Sequence, residues 1–263
     1  MAAFLGLVWL LAAAAQNPFA DADRPDAARY KACMAQVAAA PEVARDAARL
    51  WLEHEGGAPA KHCLGAALAA LGREAAGAAW IEEAADDLSQ GRGHQSLGAV
   101  VTRPLISDLK AEAAALWLAA GQYERARTRF TEAIALQPGG SAAVVDLLVA
   151  RSQADAGLGR YDWAREDLTA ALALNPDHVQ AYVLRATAAR FLEDYAEAEL
   201  DLARALALVP DHADALLERG IVRRLTGDND GARADWTRIT KLYPYSDTAE
   251  LALDNLELLR SEE

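Results

Sequence analysis

Basic charge is scarce in this chain. Its 263 residues carry 26 Lys and Arg against 39 Asp and Glu, a formal net charge of −13. A nucleic-acid backbone is gripped by clustered cations, so that partner class is excluded. The acidic balance fits a solvated surface or a basic partner. Aromatic residues are also few, at 6%, although 53% of the chain is hydrophobic and much of that is alanine. Such a composition suits close-packed helices. No nucleophile elbow, catalytic triad or paired-carboxylate cleft is visible. The glycine-rich stretch at Gly91, Gly93 and Gly98, with Arg92, His94 and Arg103, lacks the preceding strand and the glycine-lysine-serine ending of a phosphate loop. It reads as a hinge or surface loop. The sequence therefore predicts no enzyme and no cofactor.

Long apolar runs are missing too. The run Met1–Ala15, MAAFLGLVWLLAAAA, is shorter than the ~20 residues a membrane helix needs. Ala13-Ala14-Ala15 fits a small-residue cleavage site, and a polar segment starts at Gln16. The run reads as a secretory signal peptide, although no Lys or Arg precedes it. An uncleaved anchor and a buried first helix are the alternatives. No cysteine stands near the cleavage site, so a lipid anchor is not expected. The predicted location is the periplasm or another exported site, with no membrane span after cleavage.

What is present is a repeat. Gly159, Glu193 and Gly227 hold one position, Ala164, Ala198 and Ala232 a second, and Pro176, Pro210 and Pro244 a third, each 34 residues apart. The type unit, 179–212, reads as a helix over about Val179–Phe191, a turn at Glu193-Asp194, and a helix over about Tyr195–Leu208. Pro210 stops the second helix, because proline lacks the amide donor and restricts the residue before it. Asp211 and the matching Asp177 are candidates to cap the next helix. Ala186 and Ala198 are small, so the helices can approach closely; Ser152 and Gly220 match the first, Ala164 and Ala232 the second. Tyr195, Leu202 and Leu206 fill the seam, and Leu168 and Trp236 match Leu202. Upstream, Gly121, Tyr123, Ala126, Phe130, Ala133 and Pro138 reproduce the pattern. Pro138 to Pro176 is 38 residues rather than 34, about one helical turn more. A longer first helix or connector is expected near Gly140–Val145.

These positions resemble the tetratricopeptide repeat (TPR) family. The resemblance covers 107–246 in four repeats: 107–140, 145–178, 179–212 and 213–246. It departs at Glu193, where the family prefers glycine, and at Asn229, where an aromatic is usual. It implies an all-α, right-handed superhelical solenoid of helical hairpins, whose concave face binds peptides or proteins without catalysis. The rest of the chain arranges itself around that block. Residues 16–24 read as an extended segment, 25–91 as two degenerate TPR-like hairpins, and 92–106 as the glycine-rich connector. Residues 247–263 read as a C-terminal capping helix, amphipathic through Leu251, Leu253, Leu256 and Leu259, with an acidic tail.

Three sets of side chains are candidates for function. Cys33 and Cys63, the only cysteines, fall on the first helices of adjacent hairpins. In an exported protein they suggest one disulfide, with two buried free thiols as the alternative. With His54 and His62 they match no zinc spacing, so no metal site is predicted. Arg151, Arg185 and Arg219 recur at the repeat step, as do Asp167, Asp201 and Asp235 sixteen residues later. Internal Arg–Asp pairs explain both rows, and an anion-binding arginine row is the alternative.

By analogy with TPR proteins, the concave groove takes Asp146, Val149 and Gln153, then Gln180, Val183, Thr187 and Arg190, then Asp214, Leu217, Ile221 and Arg224. Val149, Val183 and Leu217 suggest an apolar row flanked by acids, fitting a segment with basic and apolar side chains. The acids also suit helix N-termini for their own sake. His178 and His212 follow Pro-Asp in equivalent turns and read as repeat punctuation. The function this supports is a non-catalytic scaffold or adaptor in a bacterial cell-envelope assembly. The alternative is a structural or self-associating repeat protein.

Overall fold

Proline and glycine punctuate the described chain into helices. The computed structural model describes residues 25–92 and 103–262. The predicted leader and extended segment at 1–24, and most of the connector at 92–106, lie outside the described residues. Thirteen helices and no strand occur among the described residues. They are α1 (Pro25–Ala39), α2 (Pro41–Leu52), α3 (Gly57–Ala70), α4 (Glu74–Ser89), α5 (Arg103–Ala119), α6 (Tyr123–Leu136) and α7 (Ala142–Gly157), followed by α8 (Tyr161–Leu174), α9 (Val179–Phe191), α10 (Tyr195–Leu208), α11 (Ala213–Leu225), α12 (Asn229–Leu242) and α13 (Asp247–Glu262). Helices α9 and α10 have the bounds that the repeat pattern predicts. Helix α7 has 16 residues where α9 and α11 have 13, which absorbs most of the four-residue excess between Pro138 and Pro176.

The chain divides into two compact units between Leu158 and Gly159. This boundary separates the two helices of the repeat at 145–178. In each unit consecutive helices pack against one another, the arrangement of a helical solenoid.

Unit 1 runs through α1–α7. Its core is built from Trp51, Ile81, Leu109, Trp117 and Phe130, spaced by buried alanines. Helices α3 and α4 cross closely because Gly65 and Gly77 meet there. A Cβ on Gly65 would lie 2.5 Å from Ile81 Cγ1 and 2.8 Å from the Gly77 carbonyl oxygen. Beside them the sulfurs of Cys33 on α1 and Cys63 on α3 stand at bonding distance, with Cα atoms 6.3 Å apart.

Unit 2 runs through α8–α13. Leu202, Leu216, Trp236, Ile239 and Leu259 form its core, and each such burial contributes about 1.5–3 kcal/mol. Trp236 stands where the type unit has Leu202. Its larger ring lies directly on Gly220, in the position of Ala186, and its Nε1 donates to the Leu217 carbonyl at 3.3 Å. Helix α13 covers the last hairpin, α11 and α12, through Ala249, Ala252, Leu256 and Leu259. Leu253 is 54% exposed, so the buried stripe differs from the all-leucine one expected. A spacing of 3 and 4 residues from Leu259 back to Ala249 keeps one helix side inward and turns Leu253 out.

The caps also differ from expectation. Helices α9 and α11 are capped by His178 and His212, whose Nδ1 atoms accept from the amides of Ala181 and Ala215 at 3.1 and 3.3 Å. Asp177 and Asp211 stand one residue too early to reach those amides. They accept instead from Arg204 at 3.2 Å and Arg238 at 2.6 Å. The second helices α10 and α12 are capped by Asp194 and Asp228.

Candidate functional site

The first helices of unit 2 form its inner layer. Helices α9 and α11 pack on each other, as do α11 and α13, in addition to their own hairpin contacts. The second helices do not stack on one another in this way, and α8 meets α10 through side chains such as Arg165 and Glu197. A tighter first-helix layer bends such a stack so that the first helices line its concave side.

Helical spacing puts Gln180, Val183, Thr187 and Arg190 on one face of α9, and Asp214, Leu217, Ile221 and Arg224 on one face of α11. The structure ties these faces together. Arg190 holds Glu218 of α11 through Nε at 2.8 Å and Nη2 at 3.3 Å. Asp214 accepts from Thr248 of α13 at 3.3 Å. Leu217 and Ile221 are partly buried against the core, and Gln180, Thr187 and Arg224 are also half-buried. The Thr187 hydroxyl donates to the Val183 carbonyl at 3.0 Å.

Two of the proposed lining residues are not surface. Val183 is 3% exposed and belongs to the unit 2 core; Val149, in unit 1, is 8% exposed. The apolar row Val149–Val183–Leu217 is therefore no accessible stripe. Val183 belongs to the same buried cluster as Ala186, Ala189 and Leu202. Within unit 1, Asp146 is exposed and Gln153 half-buried.

Behind the inner face stand two of the three predicted ion pairs. Arg185 donates to both Asp201 oxygens at 2.7 Å. Arg219 donates to both Asp235 oxygens at 2.8 and 2.6 Å, and Arg223 adds a third bond to Asp235 at 2.8 Å. Hydrogen bonding to Asp201 raises the Arg185 guanidinium above its already high range. Arg185 and Arg219 thus join the two helices of their hairpins through facing carboxylates. Arg151 belongs to unit 1 and Asp167 to unit 2.

One cluster in unit 1 escaped the sequence reading. Tyr30 of α1 bonds His62 Nδ1 of α3 at 2.6 Å, and His62 Nε2 bonds Glu112 of α5 at 2.8 Å. Both Tyr30 and His62 are almost wholly buried. Burial first, and then Glu112, push the tyrosine hydroxyl far above its usual range. The cluster joins three helices beside the cysteine pair. Separations of 32 and 50 residues give no local signal for it. His54 Nδ1 is engaged with the Leu50 carbonyl at 2.8 Å. Among the described residues no group of three His, Cys, Asp or Glu could hold a metal ion, and no helix is long and apolar enough to cross a membrane.

The family model described as "Tetratricopeptide repeat" matches residues 149–199 and 183–247. Among solved structures, pilF of Pseudomonas aeruginosa is 16% identical, with a TM-score of 0.59, covering 86% of this chain and 95% of that one. TTC0263 of Thermus thermophilus, a thermophilic TPR protein, is 20% identical, with a TM-score of 0.55 and coverage of 76% and 99%. YrrB, described as a TPR protein with an unusual peptide-binding site, is 17% identical, with a TM-score of 0.53 and coverage of 80% and 96%. No curated protein matches the chain by sequence.

Proposed function

We propose that this chain, whose residues 149–199 and 183–247 match the tetratricopeptide repeat model, is a non-catalytic scaffold that holds a peptide or protein partner on the inner face of its first helices, in a bacterial cell-envelope assembly. The observation that carries the reading is the first-helix layer of unit 2, in which α9, α11 and α13 pack directly on one another. That layer offers half-buried Gln180, Thr187, Leu217 and Ile221 rather than a charged pocket. Its arginine at 190 is already satisfied by Glu218. The partner is therefore a segment held by aliphatic contact and by its own backbone hydrogen bonds, with Asp214 favouring a basic side chain at one end. A peptide-binding site in a protein of the same fold, YrrB, lends support. Export rests on the apolar run Met1–Ala15 and on the cysteine pair at bonding distance.

The test is site-specific photo-crosslinking in cells of the source organism, with the crosslinker at Gln180 or Thr187 and, as controls, at Ala203 or Ala234. The expected result is a defined adduct in the envelope fraction from the two inner positions only, on a chain whose mass starts at Gln16. Adducts from the outer positions alone would move the site off this face. Adducts only with a second copy would establish self-association instead.

A further inference from the structure

We propose that the outward face of α13 is a second binding surface, which takes a basic amphipathic helix from a partner in the place that a second helix holds on α9 and α11. It is separate from the inner face and does not depend on it.

The 34-residue step makes α13 a first helix. Ala249 matches Ala215 and Ala181, and all three are buried. What differs is the side that first helices turn towards their hairpin partner. On α11 that side is Leu216, Arg219, Gly220 and Arg223. Leu216 is buried, Trp236 of α12 lies on Gly220, and both arginines bond Asp235 of α12. On α9 the same side sends Arg185 to Asp201 of α10. The matching residues of α13 are Glu250, Leu253, Asp254 and Glu257, and every one is exposed. The three carboxylates have no ion-pair partner among the described residues. Leu253 is 54% exposed, and Leu258, one turn beyond Asp254, is 43% exposed. The opposite side of α13 is already held on unit 2.

Charge selects the occupant. Within the hairpins of α9 and α11 the first helix supplies the cation and the second helix the carboxylate. On α13 the sign is reversed: carboxylates stand where α11 has Gly220 and Arg223, and leucine stands where it has Arg219. A second helix like α12 would set its own aspartate against them. A second copy packed through the same face would set Glu250, Asp254 and Glu257 against themselves, on chains of net charge −13. Like charges facing across an interface are costly. A helix that carries lysine or arginine beside leucine at helical spacing pairs with the carboxylates and covers Leu253 and Leu258.

Titration of the full chain with two labelled synthetic peptides tests this. Each has about four helical turns, one built of leucine and lysine in amphipathic register, the other with glutamate in place of lysine. By fluorescence anisotropy the lysine peptide should bind saturably and the glutamate peptide should not. Amide hydrogen exchange should show protection in α13. A Leu253→Gln/Glu257→Lys variant should weaken the lysine peptide by about tenfold or more, the size of one interface anchor. Both positions are exposed, so the variant keeps its core. Glu199→Lys, at an exposed site on α10, makes the same change in net charge and should weaken binding less than about twofold, because salt screens a distant charge. Absence of saturable binding, protection elsewhere than α13, or equal loss in the two variants would overturn the proposal. So would a wild-type dimer in sedimentation that the double variant abolishes, since the face would then belong to a second copy. Crosslinking from Gln180 or Thr187 is read independently, so either surface can fail alone.

Discussion

Glu193 shows how a single position can keep a fold and tax it. It occupies the turn that glycine takes in the neighbouring repeats, with φ at +62° beside +73° at Gly159 and +88° at Gly227. A side chain in the left-handed region costs about 1–2 kcal/mol, partly offset by the greater freedom of glycine in the unfolded chain. Glu193→Gly should therefore stabilise by about 0.5–1 kcal/mol, and thermal unfolding should rise by a few degrees. A fall would mean that the glutamate has a compensating partner. Arg185 makes the opposite case. Removing it leaves Asp201, 4% exposed, without its two hydrogen bonds. Arg185→Ala should cost about 3–5 kcal/mol, and an unchanged melting temperature would refute the structural role. Both residues could be picked from the sequence, because a 34-residue step exposes a departure or a matched row.

Between elements, shape decides more than spacing. The contact of α11 with α12 depends on Trp236 lying against Gly220. A methyl group there must displace the ring, so Gly220→Ala should destabilise by about 1–3 kcal/mol in urea unfolding, although alanine is the better helix former. The matching Ala186 tolerates its methyl because Leu202 stands in place of the tryptophan. The attachment of α1 follows from another pair of positions. If Cys33 and Cys63 are bonded in solution, the cross-link closes a loop with a separation of 30 residues, worth about 3–4 kcal/mol in the chain-entropy model. Thiol labelling under denaturing conditions should find no free sulfur until a reductant is added, and Cys33→Ser/Cys63→Ser should make α1 the first site of proteolysis. Equal labelling with and without reductant would remove the bond.

For the molecule as a whole, the acidic balance sets its response to pH. Burial pushes Asp87 and Glu132 upward, but the cations outweigh it: Lys61 and Arg92 hold Asp87, and Lys110 and Arg129 hold Glu132, below the usual carboxylate range. Groups lowered in the folded state contribute stability that is complete above the ordinary carboxylate range of about 4 and is lost as pH falls through their folded values. The urea midpoint should thus drop between pH 5 and pH 3, and Lys61→Met should reduce the part of that drop that Asp87 supplies. A flat profile would show that these clusters contribute nothing net.

Repeat length, the bounds of α9 and α10 and the pairs Arg185–Asp201 and Arg219–Asp235 were determined by the sequence alone, because a solenoid repeats its contacts at the period of its residues. Tyr195–Leu208 and the pair Arg219–Asp235 could be read from one 34-residue step. Three features were decided only in three dimensions. Val183 went to the core, in one buried cluster with Ala186, Ala189 and Leu202, and not to an open face. The caps passed from Asp177 and Asp211 to His178 and His212 because one residue of register puts the carboxylates out of reach. Tyr30, His62 and Glu112 met because three helices without a shared period converge there. Periodicity carries what each repeat does for the next; packing decides what a side chain does in the space its neighbours leave.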